Sequence, residues 1–496
     1  MSPSRYSARV ASLAVALAFA TGCGSTLVDH SAPAELITLV CGSDQVACDG
    51  RCMTCPPPAN AVPSCAAGAC DFTCNAGFNR CSPGSCTAES GTSCGPACLD
   101  CTSSAPLNAI PACSAAHACD FQCNPGFLRD GSQCVRALAV SAGYDHACAL
   151  TATGKVECWG ANESGQIGDG TTTDRALPVP VPLPAAVTQV AAGYAHTCAL
   201  AAAKVYCWGD NTFGEIGDGT TIQRPTPVLV TGLPDVASIG AGGAGVVRVS
   251  AAHSCAITTR GSLFCWGANG SGQLGGGGTA LGNRPASVSL LPAGFAPGLV
   301  ACGGRHTCAL GAGAVHCWGA NDSGQLGIGS TNGQAAPTLP AVASGATFLA
   351  VGHDHSCAVV VGSLLCWGLN TSGQVDAGRT LSGALLAPHP PTLPSFLPAI
   401  ASGGRAHTCA ASGAVGPSDL RCFGGNPNGE LGGAGSLVSV SILSPRSVLS
   451  VTAGGDHTCA LTVEGGIQCW GLNDRGQLGR GVFGGESPDP EYVMGR

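Results

Sequence analysis

Charge is the scarcest property of this chain. Only 10% of its 496 residues are Asp, Glu, Lys or Arg, and the formal net charge is −8. Nucleic-acid binders concentrate Lys and Arg to displace counterions, so the composition argues against a phosphate-tracking surface. After the N-terminal segment no stretch is apolar and long enough to read as a transmembrane helix. Catalytic signatures are also missing. There is no nucleophile motif, no His-Glu-x-x-His, no phosphate loop and no paired-carboxylate pattern. The reading is therefore a non-enzyme with no cofactor and no metal.

What is abundant points elsewhere. The chain has 75 glycines and 33 prolines, so it turns often, which suits many short strands better than long helices. It has 32 cysteines, a liability in a reducing cytosol, so the expected compartment is oxidising. The N-terminus agrees: Arg5 and Arg9 precede an apolar run from Ala11 to Ala20, the length of a signal peptide. Ala20-Thr21-Gly22-Cys23 resembles a bacterial lipobox, with Ala where Leu is usual. Cys23 is then the lipid anchor. Gly24 follows rather than Asp, which in a Gram-negative host directs the protein to the outer membrane or cell surface.

Five segments follow: a lipoprotein signal peptide (1–22), a tether (23–40), two cysteine-rich modules (41–81 and 86–134) and a long repeat region (135–496). The modules are copies of one another. Cys70-Asp71-Phe72-Thr73-Cys74-Asn75-Ala76-Gly77-Phe78 matches Cys119-Asp120-Phe121-Gln122-Cys123-Asn124-Pro125-Gly126-Phe127. Each has eight cysteines and few large apolar side chains, so disulfides must hold it together. The sequence does not choose among the possible pairings. Cys52-x-x-Cys55 and Cys98-x-x-Cys101 also have zinc-ligand spacing, but an exported chain would oxidise them.

In the long region, His-x-Cys followed by Cys-Trp-Gly recurs seven times, about 50 residues apart. All six tryptophans occupy this one position and Phe423 fills the seventh. Gly-Gln-Leu-Gly or a relative follows, as at Gly165 to Gly168 and Gly476 to Gly479, and then a Pro-bearing stretch. Two β-prone segments around a short turn make a hairpin, and the Pro-bearing stretch fits an outer edge strand. Several short strands per repeat indicate a propeller. The fold class is all-β: a seven-bladed β-propeller preceded by two small disulfide-stapled modules.

Opposing Cys148 to Cys158 sets Leu150 against Val156 and closes the turn. The register predicts one bridge per blade: Cys148–Cys158, Cys198–Cys207, Cys255–Cys265, Cys308–Cys317, Cys357–Cys366, Cys409–Cys422 and Cys459–Cys469. Cys302 is left over, where several other copies have Ala, and reads as a small buried residue. The seven repeat histidines, His146 through His457, read as structural hydrogen bonders rather than a metal ring. The third copy has extra residues between Gly242 and His253, a longer loop in which Val246, Val247 and Arg248 are candidate contacts. The fifth copy loses its second glycine at Asp376 and the sixth has no Trp. The first copy lacks a preceding Pro-rich strand, so Ser487 to Val493 is expected to pair with the first blade and lock the ring.

Val190-Ala191-Ala192-Gly193, His196-Thr197-Cys198-Ala199-Leu200 and Val205-Tyr206-Cys207-Trp208-Gly209 closely resemble the regulator of chromosome condensation repeat. The resemblance covers about Val140 to Arg496. It implies a seven-bladed propeller whose common role is protein binding on a face or loop. The nucleotide-exchange activity of the founding member is not carried over, since this chain reads as exported and lacks a wedge insertion. The expected function is that of a monomeric, lipid-anchored scaffold binding a protein or polysaccharide of the cell envelope. The alternatives are a secreted enzyme with its site in the central channel, or an inhibitor of a secreted enzyme. Convergent acidic or histidine side chains at one channel mouth would favour the enzyme.

Overall fold

The computed structural model describes short strands between residues 45 and 100, and most of the chain from 105 to 495; residues 114–118, 244, 247–248, 339–341, 343, 379–382, 394–397, 413–418, 436 and 441–446 are not described. Two compact units emerge. One comprises residues 1–105 and 111–121, the other residues 106–110 and 122–496. In the first, the backbone makes antiparallel hairpins such as Ala61–Ala66 with Ala69–Cys74. No helix among the described residues is long and apolar enough to cross a membrane.

The second unit holds seven four-stranded antiparallel sheets. Blade one consists of an inner strand Ala137–Ala142, a second strand His146–Thr151, a third strand Val156–Gly160 and an outer strand Arg175–Pro180. Blades two to seven repeat this plan over residues 187–229, 236–287, 299–338, 346–389, 400–440 and 448–492. The hairpin register sets Ala147 opposite Trp159, Cys148 opposite Cys158 and Leu150 opposite Val156. Each blade carries a disulfide between its second and third strands.

The core lies in the seams between blades. Trp159 is fully buried and packs with Cys459, Leu461, Ile467 and Val493 of blade seven. Ala147 and Ala149 share that cluster; their small side chains make space for the indole. Each indole N–H also bonds a carbonyl of the preceding blade, as Trp208 does to Gln166 O at 2.9 Å, so its polar atom stays satisfied in a dry seam. The second glycine of Gly-Gln-Ile-Gly is required here. A Cβ on Gly168 would lie 2.6 Å from Trp208 Nε1.

Ring closure differs from the expectation. Glu486–Tyr492 is the outer strand of blade seven, with Cys469 opposite Glu491, and blade one has its own outer strand. The reason lies in the repeat frame. Each copy opens with its inner strand and ends with its Pro-bearing strand, so each completes its own blade. The seam between blades seven and one closes by side chains and by backbone hydrogen bonds, Gly455 N–H to Tyr144 O and Gly481 N–H to Ala176 O, both at 2.8 Å. Val493 enters the shared core, and Thr452 Oγ1 accepts from Ala142 N–H at 3.0 Å. A hairpin of Leu128–Asp130 and Gln133–Val135 joins this seam, stapled by Cys123–Cys134. Its Leu128 is 1% exposed within the same cluster.

Candidate functional site at the channel mouth

The seven inner strands surround a central channel with a cavity of about 310 Å³. Their inner edges carry backbone groups that need partners, and side chains on the wall supply several. Ser141 Oγ accepts from Ala192 N–H at 3.0 Å and Ser402 Oγ from Ala453 N–H at 2.9 Å. The Gln189 amide bonds both the N–H and the carbonyl of Ile239, at 3.0 and 2.9 Å. These polar groups join blade to blade.

At one end, each inner strand turns through glycine into the second strand. Here the backbones bond around the opening. Tyr144 N–H donates to Gly193 O at 3.2 Å, His353 N–H to Gly404 O at 3.1 Å, Arg405 N–H to Gly454 O at 3.2 Å and Gly455 N–H to Tyr144 O at 2.8 Å. A Cβ on Gly143 would lie 2.5 Å from Gly193 O and 2.3 Å from the His146 ring, so the close approach demands glycine. Outside blade three, with its insertion, two residues separate this glycine from the repeat histidine; they vary between copies and furnish the mouth.

On blades one and two, the Tyr144 and Tyr194 rings lie 4.7 Å apart. Arg405 of blade six pairs with Asp456 of blade seven at 2.6 Å. Arg475 of blade seven reaches Glu163 at 2.6 Å and Asp174 at 3.2 Å, both on blade one. Burial, reinforced by the Asp456 charge, pushes the Asp145 carboxyl up to about 6. Burial likewise pushes Tyr144 up to about 12. On the other arc, Arg305 pairs with Asp322 at 2.9 Å and His353 Nδ1 lies 2.6 Å from Asp354 Oδ2. The loops joining third to outer strands open on this same end, because Gly160 opposes His146. They expose Ile222, Leu281 and Phe483 on blades two, three and seven. A tyrosine pair, an exposed arginine and apolar side chains around them make up the composition of a protein-binding hot spot.

The repeat histidines do not face the channel as ligands. All seven are fully buried. His146 Nε2 lies 2.8 Å from Thr197 Oγ1 on the next blade, and Thr197 Oγ1 in turn donates to Gln166 O at 2.9 Å. The hydroxyl's one hydrogen is thus spent on the carbonyl, so the imidazole must be the donor and carries its proton on Nε2. The pattern recurs for His196–Ser254, His253–Thr307, His306–Ser356, His355–Thr408 and His407–Thr458. Burial holds these imidazoles neutral, lowering their pKa values to about 3 or about 4.

The structure joins the fourteen repeat cysteines, Cys148 through Cys469, as pairs within blades. Cys302 is buried and free. Of the candidate contact loop, Val246 lies in Gly245–Val246, paired with Val249–Ser250 at the mouth end of blade three. The Val246 side chain, and all of Val247 and Arg248, lie outside the described residues, as does Cys23. Sequence reasoning missed Tyr144, Asp145, Tyr194, Arg405 and Asp456. The signal available was that these two positions vary among copies, as Tyr-Asp, Tyr-Ala, Gly-Arg, His-Asp, Arg-Ala and Gly-Asp, while the flanking glycine and histidine do not.

Comparison with known proteins completes the picture. The RCC1-like domain family matches residues 120–410, and the regulator of chromosome condensation (RCC1) repeat matches residues 448–477. The ultraviolet-B receptor UVR8 of Arabidopsis thaliana is 30% identical over 358 residues, 70% of this chain and 79% of that protein. The probable E3 ubiquitin-protein ligase HERC4 of Homo sapiens is 34% identical over 210 residues, 41% of this chain. That match spans only 19% of HERC4. Among solved structures, yeast RCC1 (Prp20) bound to Kap60 superposes with a TM-score of 0.60 at 20% identity, covering 72% of this chain and 85% of that one. Human WBSCR16 gives 0.57 at 24% identity, covering 68% and 93%.

Proposed function

The chain belongs to the regulator of chromosome condensation repeat family, and on that premise we propose that it is an exported, lipid-anchored scaffold that binds a protein partner through the channel-mouth face of its propeller. One observation carries this reading. The repeated polar groups are spent on holding blades together, whereas the positions that differ between copies gather at one face as Tyr144, Tyr194, Asp145 and Arg405. A solved member of the fold, yeast RCC1, was captured in complex with Kap60. The apolar run Ala11 to Ala20, the Ala20-Thr21-Gly22-Cys23 motif and the 32 cysteines support export and an anchor at Cys23, and Gly24 after the motif supports a bacterial outer-membrane or cell-surface location.

A second reading has its own observation. Asp145 is a carboxyl pushed up to about 6 beside Tyr144 and Asp456, which suits a general acid or base in an enzyme. Asp456 and Arg405 favour binding instead, because each already has an ionic partner.

Affinity capture from detergent-solubilised envelope separates the two readings. The bait is the oxidised chain from Gly24, wild type or carrying Tyr194→Ala with Arg405→Glu. A protein held by the wild type and lost on the double variant supports the mouth as a binding face. Equal retention by both baits refutes it. Hydrolase activity abolished by Asp145→Asn would establish the enzyme. Labelling by a lipid precursor, lost in Cys23→Ser, tests the anchor.

A further inference from the structure

Blade three differs from its neighbours in its sulfur chemistry as well as its loop. Cys302 lies on the inner strand Leu299–Cys302 of blade four. Its Sγ, the Sγ of Cys255 and a ring nitrogen of His253 lie within 4.8 Å of one another. Cys255 is already bonded to Cys265. A free thiol therefore sits beside a formed disulfide that belongs to the adjacent blade.

The sequence has made room for this. On blade three the residue facing Cys302 is Gly240, whose Cβ would lie 3.4 Å from Cys302 Sγ. The equivalent residues on the other blades are Ser141, Ala191, Ala301, Ala350, Ser402 and Thr452. So the copy that replaces Ala by Cys in blade four is matched by the copy that has Gly in blade three. Beside the two sulfurs, His253 is held neutral by burial and its Nε2 donates to Thr307 Oγ1 at 2.8 Å, so it serves the seam and not the exchange.

We infer that Cys302 is a resident exchange thiol for the blade-three disulfide, able to redirect it from Cys255–Cys265 to Cys255–Cys302. In this step Cys302 Sγ loses its proton to water admitted when the seam opens and attacks Cys255 Sγ. The Cys255–Cys265 bond breaks, the Cys255–Cys302 bond forms, and the leaving Cys265 thiolate takes up the proton. One disulfide is exchanged for another, so neither oxidant nor reductant is consumed. Burial pushes the Cys302 thiol up, which keeps the exchange slow while the seam is closed. The product ties blade three to blade four, and it leaves Cys265 reduced next to Trp266. The other six blade disulfides have no free thiol beside them among the described residues.

Non-reducing peptide mapping of the full-length oxidised protein tests this. The protein is incubated at pH 8 without added thiol, then alkylated with N-ethylmaleimide in denaturant. The expected result is molecules carrying Cys255–Cys302 and alkylated Cys265, at least about tenfold above the background in Cys302→Ser. Alkylation confined to Cys302, with every molecule retaining Cys255–Cys265, overturns the inference. A second variant removes any dependence on the position of that equilibrium. In Cys265→Ser treated with oxidised glutathione, Cys255 and Cys302 should join to each other. Two glutathionylated or free thiols at these positions, in a variant that melts cooperatively, overturn it equally.

Discussion

Asp376 of blade five stands where the other six seams have glycine, and Phe423 of blade six, across the same seam, stands where the other six have tryptophan. In blades four and five, for comparison, a Cβ on Gly327 would lie 2.9 Å from Trp367. The two departures from the repeat fall on the two sides of one seam, and the carboxylate turns away from it to the outer part of its own blade. Asp376 is fully buried and accepts hydrogen bonds from Thr392 N–H at 2.8 Å and Gly378 N–H at 3.0 Å.

This pairing predicts strong coupling. Phe423→Trp alone should lower stability by about 1–3 kcal/mol through overpacking. Asp376→Gly alone should also destabilise, by emptying a buried site and removing the acceptor of the Thr392 and Gly378 N–H groups. The double variant recreates the arrangement of the other seams, including an indole N–H for Gln374 O, and should be clearly more stable than the sum of the single changes. Guanidinium melts of all four proteins give the coupling energy. Simple additivity would show that the two sites are independent.

The repeat frame made the blade count and hairpin register readable from sequence alone, because small residues must oppose the indole and only one register closes the turn. Ring closure was misread because a strand at the chain end was matched to a gap that did not exist; blade one already owned Arg175–Pro180. The mouth was not legible for a different reason. Tyr144, Asp145, Arg405 and Asp456 come from blades one, six and seven, more than two hundred residues apart in part. Only ring closure brings them together, and a repeat consensus averages such positions away.

Acid should unfold this propeller steeply. Seven buried histidines have folded-state pKa values depressed to about 3 or about 4 by burial. An unfolded histidine binds its proton near pH 6.5, so between these values the unfolded state holds more protons. The stability these groups confer is present above about pH 6.5 and is lost as pH falls toward 4. Denaturant midpoints at pH 7.5, 6.0 and 5.0, with the disulfides intact, should fall progressively. A midpoint that holds constant to pH 5 would contradict the buried, neutral assignment.

Glu215 should act in the opposite direction. It replaces the repeat glutamine, and burial together with Asp210 pushes its carboxyl up to about 8. The folded state therefore keeps a proton that the unfolded state releases above about pH 4.5, and stability falls as pH rises from there to about 8. Glu215→Gln removes the titration and keeps the acceptor for Phe213 N–H, now 2.7 Å from Glu215 Oε2. The variant should match the wild type near pH 5 and exceed it by a few degrees in Tm at pH 9. An equal gain at both pH values would mean that the effect is one of shape rather than charge.

The seam between blades seven and one lacks a link that the other six possess. Six histidines donate to a Thr or Ser hydroxyl on the next blade, but His457 has both ring nitrogens unpaired, because blade one has Ala147 at the hydroxyl position. Gln477 O correspondingly accepts only from Trp159 Nε1, at 2.9 Å. Ala147→Thr would supply both missing bonds, since the hydroxyl can accept from His457 and donate to Gln477 O just as Thr197 does with His146 and Gln166. Six seams already hold a Thr or Ser beside their aromatic residue, so the side chain has a tested place to sit. Satisfying a buried orphan is worth about 1–3 kcal/mol, and the expected result is a higher denaturant midpoint with an unchanged slope. The same variant should slow amide exchange of the inner strand Ala137–Ala142 and of Val493, which meet at this seam. Stabilisation without that local protection would place the gain elsewhere in the ring, and destabilisation would mean that the His457 seam is packed too tightly for a hydroxyl, leaving closure to Leu128, Val493 and Trp159.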